Sequence, residues 1–148
     1  MMHFVTTPTT VTSACEDYLE KIHHLIESKG YARAVDIASA LGVSQASVSA
    51  MIQRLDAEGY VVYEKYRGLT LTEHGRNVAK KITHRHEILT RLLRHFGIDE
   101  ETIYQDVEGM EHHISGKTLH AFTLLTEELD RNAPLVANLR KRLKNGKK

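Results

Sequence analysis

The hydrophobic pattern changes period near Gly59, and this change constrains the fold more than any other feature. Before Gly59, apolar residues recur every three or four positions, as on one face of a helix. Residues Tyr60–Tyr63 and Leu69–Leu71 then favour strands, and the charged turn between them predicts a β-hairpin. After Thr72 the helical period returns. The sequence therefore predicts helices, one hairpin and a second group of helices.

Residues that start or stop helices mark the expected boundaries. Gly59 terminates an apolar helical stretch, and Ser44 is placed to cap the start of that same stretch. In the short helix before it, we expect Val35 and Ile37 to face inward. The predicted helices cover residues 14–29, 34–41, 45–58, 73–96, 100–114, 117–130 and 135–143.

Composition limits the classes of protein to consider. Of 148 residues, 41% are hydrophobic and 26% are charged, and the formal net charge is +1. Any binding of nucleic acid must therefore use a local basic patch rather than bulk charge. No apolar run approaches the roughly 20 residues of a membrane span, and the first residues lack a secretory signal. The single cysteine, Cys15, fits a reducing cytoplasm, so we expect a cytoplasmic protein with no membrane partner.

The order helix, helix, glycine-containing turn, helix and hairpin is that of a winged helix-turn-helix. A recognition helix needs one buried face and one face of short polar side chains that reach base edges. A small helical domain with a polar face is the alternative, but it does not account for the Gly42–Ser44 turn and the hairpin that follows. The residues predicted to contact DNA are Gln45, Ser47, Ser49, Gln53 and Arg54 on the third helix and Lys65, Tyr66 and Arg67 at the hairpin tip.

Acidic residues and histidines form a second pattern. Carboxylates clustered beside an inward-facing histidine repel one another and lose hydration unless a cation lies among them. Hard oxygen ligands with one or two imidazoles suit Mn²⁺ or Fe²⁺, and bridging carboxylates would let two ions share the site. The candidate ligands are Asp17 and Glu20 on the first helix, His86 on the fourth, and Glu108, Glu111 and His112 on the fifth.

Each of these residues taken singly has an ordinary explanation, such as a solvated helix face or a hydrogen-bonded core histidine. Only their assembly favours a metal site, and the sequence alone does not show that they meet. We expect His24 and His113 to be exposed, and Cys15 to be a free thiol that faces away from Asp17.

Several longer stretches between residues 14 and 115, taken together, resemble those of a known protein family, although no single motif is enough to show this. They are Glu16–Glu20, Lys29–Arg33, Val62–Leu69 with Leu71–Thr72, Arg85–Glu87 and Asp106–His113. In these stretches and their spacing the chain resembles the diphtheria-toxin-repressor family, and within it the manganese-responsive regulators.

The resemblance implies a homodimeric repressor of metal-uptake genes that binds double-stranded operator DNA in response to manganese. It implies that all six candidate ligands bind Mn²⁺, with two ions per subunit shared by carboxylates of the first and fifth helices. Iron-responsive relatives carry methionine and cysteine at the positions of Asp17 and Glu111, so the oxygen ligands here favour manganese.

We therefore expect a mainly α fold with two domains. Residues 1–72 would form an N-terminal arm and a winged helix-turn-helix DNA-binding domain. Residues 73–148 would form a helical metal-binding and dimerisation domain with a basic tail. Because the chain ends at Lys148, no SH3-like domain is expected.

Other functions fit less of the sequence. A regulator of the same architecture that responds to iron or zinc is the main alternative. A multiple-antibiotic-resistance-type regulator with an organic effector would leave the acidic cluster unexplained. A two-metal hydrolase would need a general base and a substrate pocket that the sequence does not indicate, and a structural dimer module explains neither pattern. We expect no enzyme activity and no organic small-molecule substrate.

Overall fold

The fold is mainly α-helical, with one hairpin. The computed structural model describes residues 11–64, 66 and 68–146. Its elements are α1 (Ser13–Lys29), α2 (Ala34–Leu41), α3 (Gln45–Ala57), β1 (Val61–Glu64), β2 (Gly68–Leu71), α4 (Glu73–His95), α5 (Glu100–Met110), α6 (Gly116–Asp130) and α7 (Ala133–Asn145). The expected fold class is confirmed, and the predicted order of elements matches along the described chain.

The chain divides into two compact units, the first ending at Lys81 and the second beginning at Ile82. Helix α4 begins at Glu73, directly after the domain boundary expected at Thr72, and runs without a break through the point where the two units divide. That boundary therefore stays a prediction.

Helices α1, α2 and α3 supply large side chains to the core of the first unit, together with the hairpin residue Val61. Helix α1 begins where the Thr12 side chain accepts a hydrogen bond from the Cys15 amide, and it ends at Gly30 with a φ of 82°. Glycine adopts this left-handed conformation without the steric penalty that other residues meet. The fully buried helical side chains are Leu19, Ile22, Ile37, Val48 and Leu55.

Helices α2 and α3 form the helix-turn-helix. They are bent by 111° at the turn between them, within the range of about 90–120° that is usual for this motif. Gly42 closes α2 with a φ of 67°. The Ser44 side chain accepts a hydrogen bond from the Ser47 amide at 3.1 Å, which confirms the predicted cap.

No single helix of the described residues has the length and apolar character needed to cross a membrane. Helices α2 and α3 meet that test only as a bent pair.

The hairpin pairs β1 with β2 in antiparallel register, with Val61 opposite Leu71 and Glu64 opposite Gly68. An isolated bridge joins Ala32, in the loop between α1 and α2, to Leu69 of β2. This bridge holds the loop before α2 against strand β2 of the hairpin. Two predicted hairpin-tip contacts, Lys65 and Arg67, lie outside the described residues.

The second unit has its core where α4 and α5 pack together. Leu89, Ile103 and Val107 are buried there, and Phe122 of α6 packs against them. Helix α7 buries none of its own residues. Its Arg140 donates hydrogen bonds to the carbonyls of Arg94 and His95, at 3.0 and 2.8 Å, in the last turn of α4. Arg140 thus satisfies carbonyl groups that a helix end leaves without intrahelical partners.

Two details correct the sequence-based expectations. Helix α5 ends at Met110 rather than near Ile114, because the Ser115 side chain already caps α6 and the chain must turn between the two helices. Val35 is 51% exposed instead of facing inward. Residues two positions apart point to different sides of a helix, and Ile37 is the one that enters the core.

Gly75 makes the close approach between the start of α4 and the hairpin possible. A Cβ atom at this position would lie 2.0 Å from the Tyr60 carbonyl oxygen. We expect Gly75→Ala to lower the free energy of unfolding by about 1–3 kcal/mol, because the backbone must shift to relieve the overlap. Urea denaturation followed by circular dichroism would measure this change.

Gly109 in α5 provides the matched control, since a Cβ there would meet nothing within 4 Å. Gly109→Ala is expected to raise the stability by about 0.5–1 kcal/mol through helix propensity. Equal stability of Gly75→Ala and the unmodified protein would contradict the proposed overlap.

Candidate metal centre and DNA-binding surface

Three candidate metal ligands come together where α5 ends. Glu108 lies in the last turn of α5, Glu111 follows as the capping residue, and His112 is the next residue. One ligand atom from each of these side chains lies within 4.8 Å of those of the other two. The early end of α5 does not separate them, because Glu111 keeps helical backbone angles.

Glu111 is the most unusual residue of this cluster, because its carboxylate is buried to 1% exposure. One oxygen, Oε2, lies 2.9 Å from Nδ1 of His86 on α4. The other, Oε1, is also buried and has no hydrogen-bond partner among the described residues. The Nε2 atom of His112 lies 3.6 Å from it, beyond hydrogen-bond distance. A buried oxygen in this state costs free energy unless something else binds it.

Two consecutive residues of α4 hold Glu111 in place. His86 contacts its carboxylate, and the Arg85 guanidinium donates a hydrogen bond to its backbone carbonyl. Side chain and main chain of Glu111 are thus fixed from the same helix. Arg85 was not among the predicted functional residues. Its position next to His86 and its place in the Arg85–Glu87 stretch were the available signals, and hydrophobic periodicity gives no reason to expect a contact 26 residues away.

The residues of this cluster fit a hard divalent cation. Two carboxylates and the imidazoles of His86 and His112 provide oxygen and nitrogen donors without a thiolate. Such a set suits Mn²⁺ or Fe²⁺ better than structural zinc or Cu(I). The buried Glu111 Oε1 is the acceptor that a cation would satisfy.

The remaining candidate ligands, Asp17 and Glu20, lie in α1 of the first unit, one turn apart and partly buried. The ligand role of all six residues stays a prediction. His24 and His113 are exposed, as expected. Cys15 is buried and lies with its sulfur 3.7 Å from that of Met51 on α3.

The predicted recognition helix has the two faces that base recognition needs. Val48, Ile52 and Leu55 are buried. The residues predicted to contact DNA on this helix, all of them exposed, are Gln45, Ser47, Ser49, Gln53 and Arg54.

Two of these polar side chains have additional contacts. The Ser47 hydroxyl lies 3.0 Å from that of Ser44 at the cap, and Arg54 pairs with Glu58 at 3.2 Å. Gln45, Ser49 and Gln53 are therefore the side chains of α3 best placed to reach bases. At the hairpin, Tyr66 is 91% exposed.

Comparison with known proteins identifies relatives for both parts of the chain. Residues 10–69 match the family described as iron dependent repressor, N-terminal DNA binding domain. Residues 72–134 match the iron dependent repressor, metal binding and dimerisation domain.

Individual relatives match over most of their length. The chain is 49% identical over 128 residues to the HTH-type transcriptional regulator MntR of Lysinibacillus sphaericus strain C3-41, covering 86% of this chain and 92% of that one. It is 54% identical over 108 residues to the regulator of the same name from Bacillus subtilis strain 168, covering 73% and 76%. The solved structure of the manganese regulator SloR is similar with a TM-score of 0.68 and 27% identity, covering 76% of this chain. This chain spans only about half, 53%, of that solved relative.

The burial of Glu111 leads to a prediction for the protein without metal. We expect Glu111→Gln to unfold with a free energy no lower than that of the unmodified protein, because an amide fills the same space without a buried charge. Glu111→Ala should lose about 1–3 kcal/mol, since it leaves the groups around the carboxylate unsatisfied. Denaturation in the presence of a chelator would measure both. A Glu111→Gln variant as unstable as Glu111→Ala would show that the carboxylate charge itself stabilises the metal-free fold.

Proposed function

This chain belongs to the iron-dependent repressor family of HTH-type transcriptional regulators, and from that membership we propose that it is a manganese-responsive repressor of metal-uptake genes. The resemblance noted from the sequence is thereby confirmed. The family consists of DNA-binding regulators, so the chain is not an enzyme, and the two-metal hydrolase alternative is dropped.

The observation that carries the proposal is the buried Glu111 carboxylate, with its oxygen Oε1 left for a cation beside Glu108 and His112. The donors there are oxygen and imidazole nitrogen, which match Mn²⁺. SloR, a relative of similar fold, is a manganese regulator. Manganese is therefore the proposed effector, ahead of iron and zinc.

The proposed ligand set is larger than the cluster at the end of α5. It comprises Asp17, Glu20, His86, Glu108, Glu111 and His112, as the sequence resemblance implies. Four of these residues are carboxylates, which can each bind or bridge ions. We propose two ions per subunit on this basis.

The proposed mechanism follows from where these residues lie in the chain. Asp17 and Glu20 belong to the first unit, which carries α3 and the hairpin, and the other ligands belong to the second. A divalent cation would supply the positive charge needed for these carboxylates to act together as ligands. With the ligands of both units engaged, the recognition helices of a homodimer would be held at the half-site spacing of about 34 Å.

The partners follow from the same proposal. The second unit would form the homodimer, and α3 with the hairpin would bind double-stranded operator DNA in the cytoplasm. Coupling between metal and DNA of this kind typically amounts to about 1–3 kcal/mol and is reciprocal, so operator DNA should tighten metal binding equally.

The first test is fluorescence anisotropy with a labelled palindromic operator from upstream of the organism's manganese-uptake genes. We expect Mn²⁺ to tighten binding by roughly 5–150-fold over the chelated protein, the range of a typical allosteric coupling. Parallel titrations with Fe²⁺ and Zn²⁺ at fixed salt would test the metal. Equally tight binding in the presence of chelator would show that metal does not control DNA binding. A stronger response to Fe²⁺ or Zn²⁺ would show that this metal, and not manganese, is the effector.

Variants of single ligands test the site. Glu111→Gln and His86→Ala should keep the weak binding of the metal-free protein and lose its tightening by Mn²⁺, because each removes one donor from the ion. His84→Ala is the matched control, since His84 lies on α4 close to His86 but is exposed. Isothermal titration with Mn²⁺, together with the anisotropy assay, gives both readouts. A normal Mn²⁺ response in Glu111→Gln would refute the assigned ligand set.

A further inference from the structure

A groove of about 440 Å³ opens in the first unit beside the hairpin. Two loops line it: Gly30, Tyr31 and Arg33 precede α2, and Tyr66 and Gly68 belong to the hairpin. Of these, only Tyr66 is among the predicted DNA contacts. The fold and the metal centre leave Tyr31 and Arg33 without an assigned role.

The backbone explains why these two side chains face the groove. Ala32 forms the bridge to Leu69, and both residues are 3% exposed. Neighbours along an extended chain point to opposite sides, so the inward position of Ala32 turns Tyr31 and Arg33 outward. Tyr31 is 38% exposed, and the Arg33 side chain is 66% exposed.

Although it is exposed, Arg33 is held in one position. Its Nη2 donates a hydrogen bond to the Tyr31 hydroxyl at 3.0 Å, and its guanidinium carbon lies 4.7 Å from the centre of the Tyr31 ring. Asp36 lies 3.7 Å from its Nε atom on the other side. A guanidinium has five N–H donors, and Tyr31 takes one of them. An arginine already ordered in this way loses less entropy when it binds an anion.

Charge and shape indicate the kind of partner. Lys29 lies 3.9 Å from the same Asp36 carboxylate, so two cations flank this one anion next to the groove. The guanidinium fork matches the oxygens of a phosphate, and the rings of Tyr31 and Tyr66 provide apolar surface for a sugar. A sugar and a phosphate together are the repeating unit of a nucleic-acid backbone.

We propose that the Tyr31–Arg33 groove binds a backbone phosphate of operator DNA next to the hairpin. Such a contact fixes the protein on the duplex without reading its sequence. The inference rests on the proposed function only in that DNA is the partner. It involves none of the metal ligands.

The test is the salt dependence of DNA binding by the full chain in saturating Mn²⁺. Each phosphate contact contributes about 0.9 to the slope of log K against log salt. Arg33→Ala should therefore lower the slope by about 1.8 in a dimer, which makes the contact twice. The operator and an unrelated duplex should weaken by the same factor, roughly eightfold per contact at 0.1 M salt. Tyr31→Phe should weaken both more modestly, because the ring stays and only the hydroxyl is lost.

Arg131→Ala is the matched control, since Arg131 is an exposed arginine in the second unit whose loss changes net charge equally. It should leave the slope unchanged. Arg33→Lys keeps the charge without the fork, and it should retain the slope while losing part of the affinity. Circular dichroism melting would show that each variant is folded. If Arg33→Ala does not fold, the losses of affinity expected for Arg33→Lys and Tyr31→Phe provide the test instead.

The outcomes separate the two proposals. If the unmodified protein binds its operator in response to Mn²⁺ and Arg33→Ala keeps the full slope, the groove does not contact DNA and the proposed function stands. An equal fall in the salt slope for Arg131→Ala would also contradict the proposed phosphate contact, because the loss of net charge alone would then explain the change in slope. If the unmodified protein binds no DNA in any metal, both proposals fail.

Discussion

Burial of the Glu111 carboxylate is the physical constraint that shapes the candidate metal centre. Removing an ionised carboxylate from water is costly unless hydrogen bonds or opposite charge replace its hydration. Among the described residues, His86 lies within hydrogen-bond distance of one oxygen, Oε2, while Oε1 has no hydrogen-bond partner. Arg85 fixes the backbone of the same residue, so Glu111 cannot rotate to the surface without breaking contacts to α4. The second oxygen is thus kept in a buried position where a cation, as proposed for this site, would satisfy it.

In the first unit, backbone geometry at a few turns positions the elements. Gly30 and Gly42 close α1 and α2 in left-handed conformations, and Ser44 starts α3. These three positions fix the direction in which the polar face of α3 points. The bridge between Ala32 and Leu69 then joins the hairpin to the loop before α2. The surface proposed to meet DNA therefore rests on a small number of turns, each specified locally by residue type.

The local nature of these signals explains how much could be predicted from the sequence. The bounds of α2 agree with the prediction to the residue, because apolar spacing and a terminal glycine both mark them. The predicted end of α5 was wrong. Ile114 continues the apolar period and so favoured a longer helix, but Ser115 caps the start of α6 and the chain must turn before it. The candidate ligands were found by residue type, but the burial of Glu111 and the contact of Arg85 come from packing between α4 and α5. Nothing in the spacing of residues 85 and 111 specifies such a contact.

The charge distribution limits how a protein of this kind can bind DNA. With a formal net charge of +1, the protein gains little from long-range attraction to DNA. It must rely on several direct contacts with the DNA that form at the same time. Several cations of the first unit are already paired, as Arg54 is with Glu58 and Arg33 with Asp36. This pairing reduces attraction to DNA in general. Under the proposed function, tight binding would require that α3, the hairpin and the groove contact DNA at the same time in both subunits. The number of contacts formed together would therefore govern affinity more than net charge does.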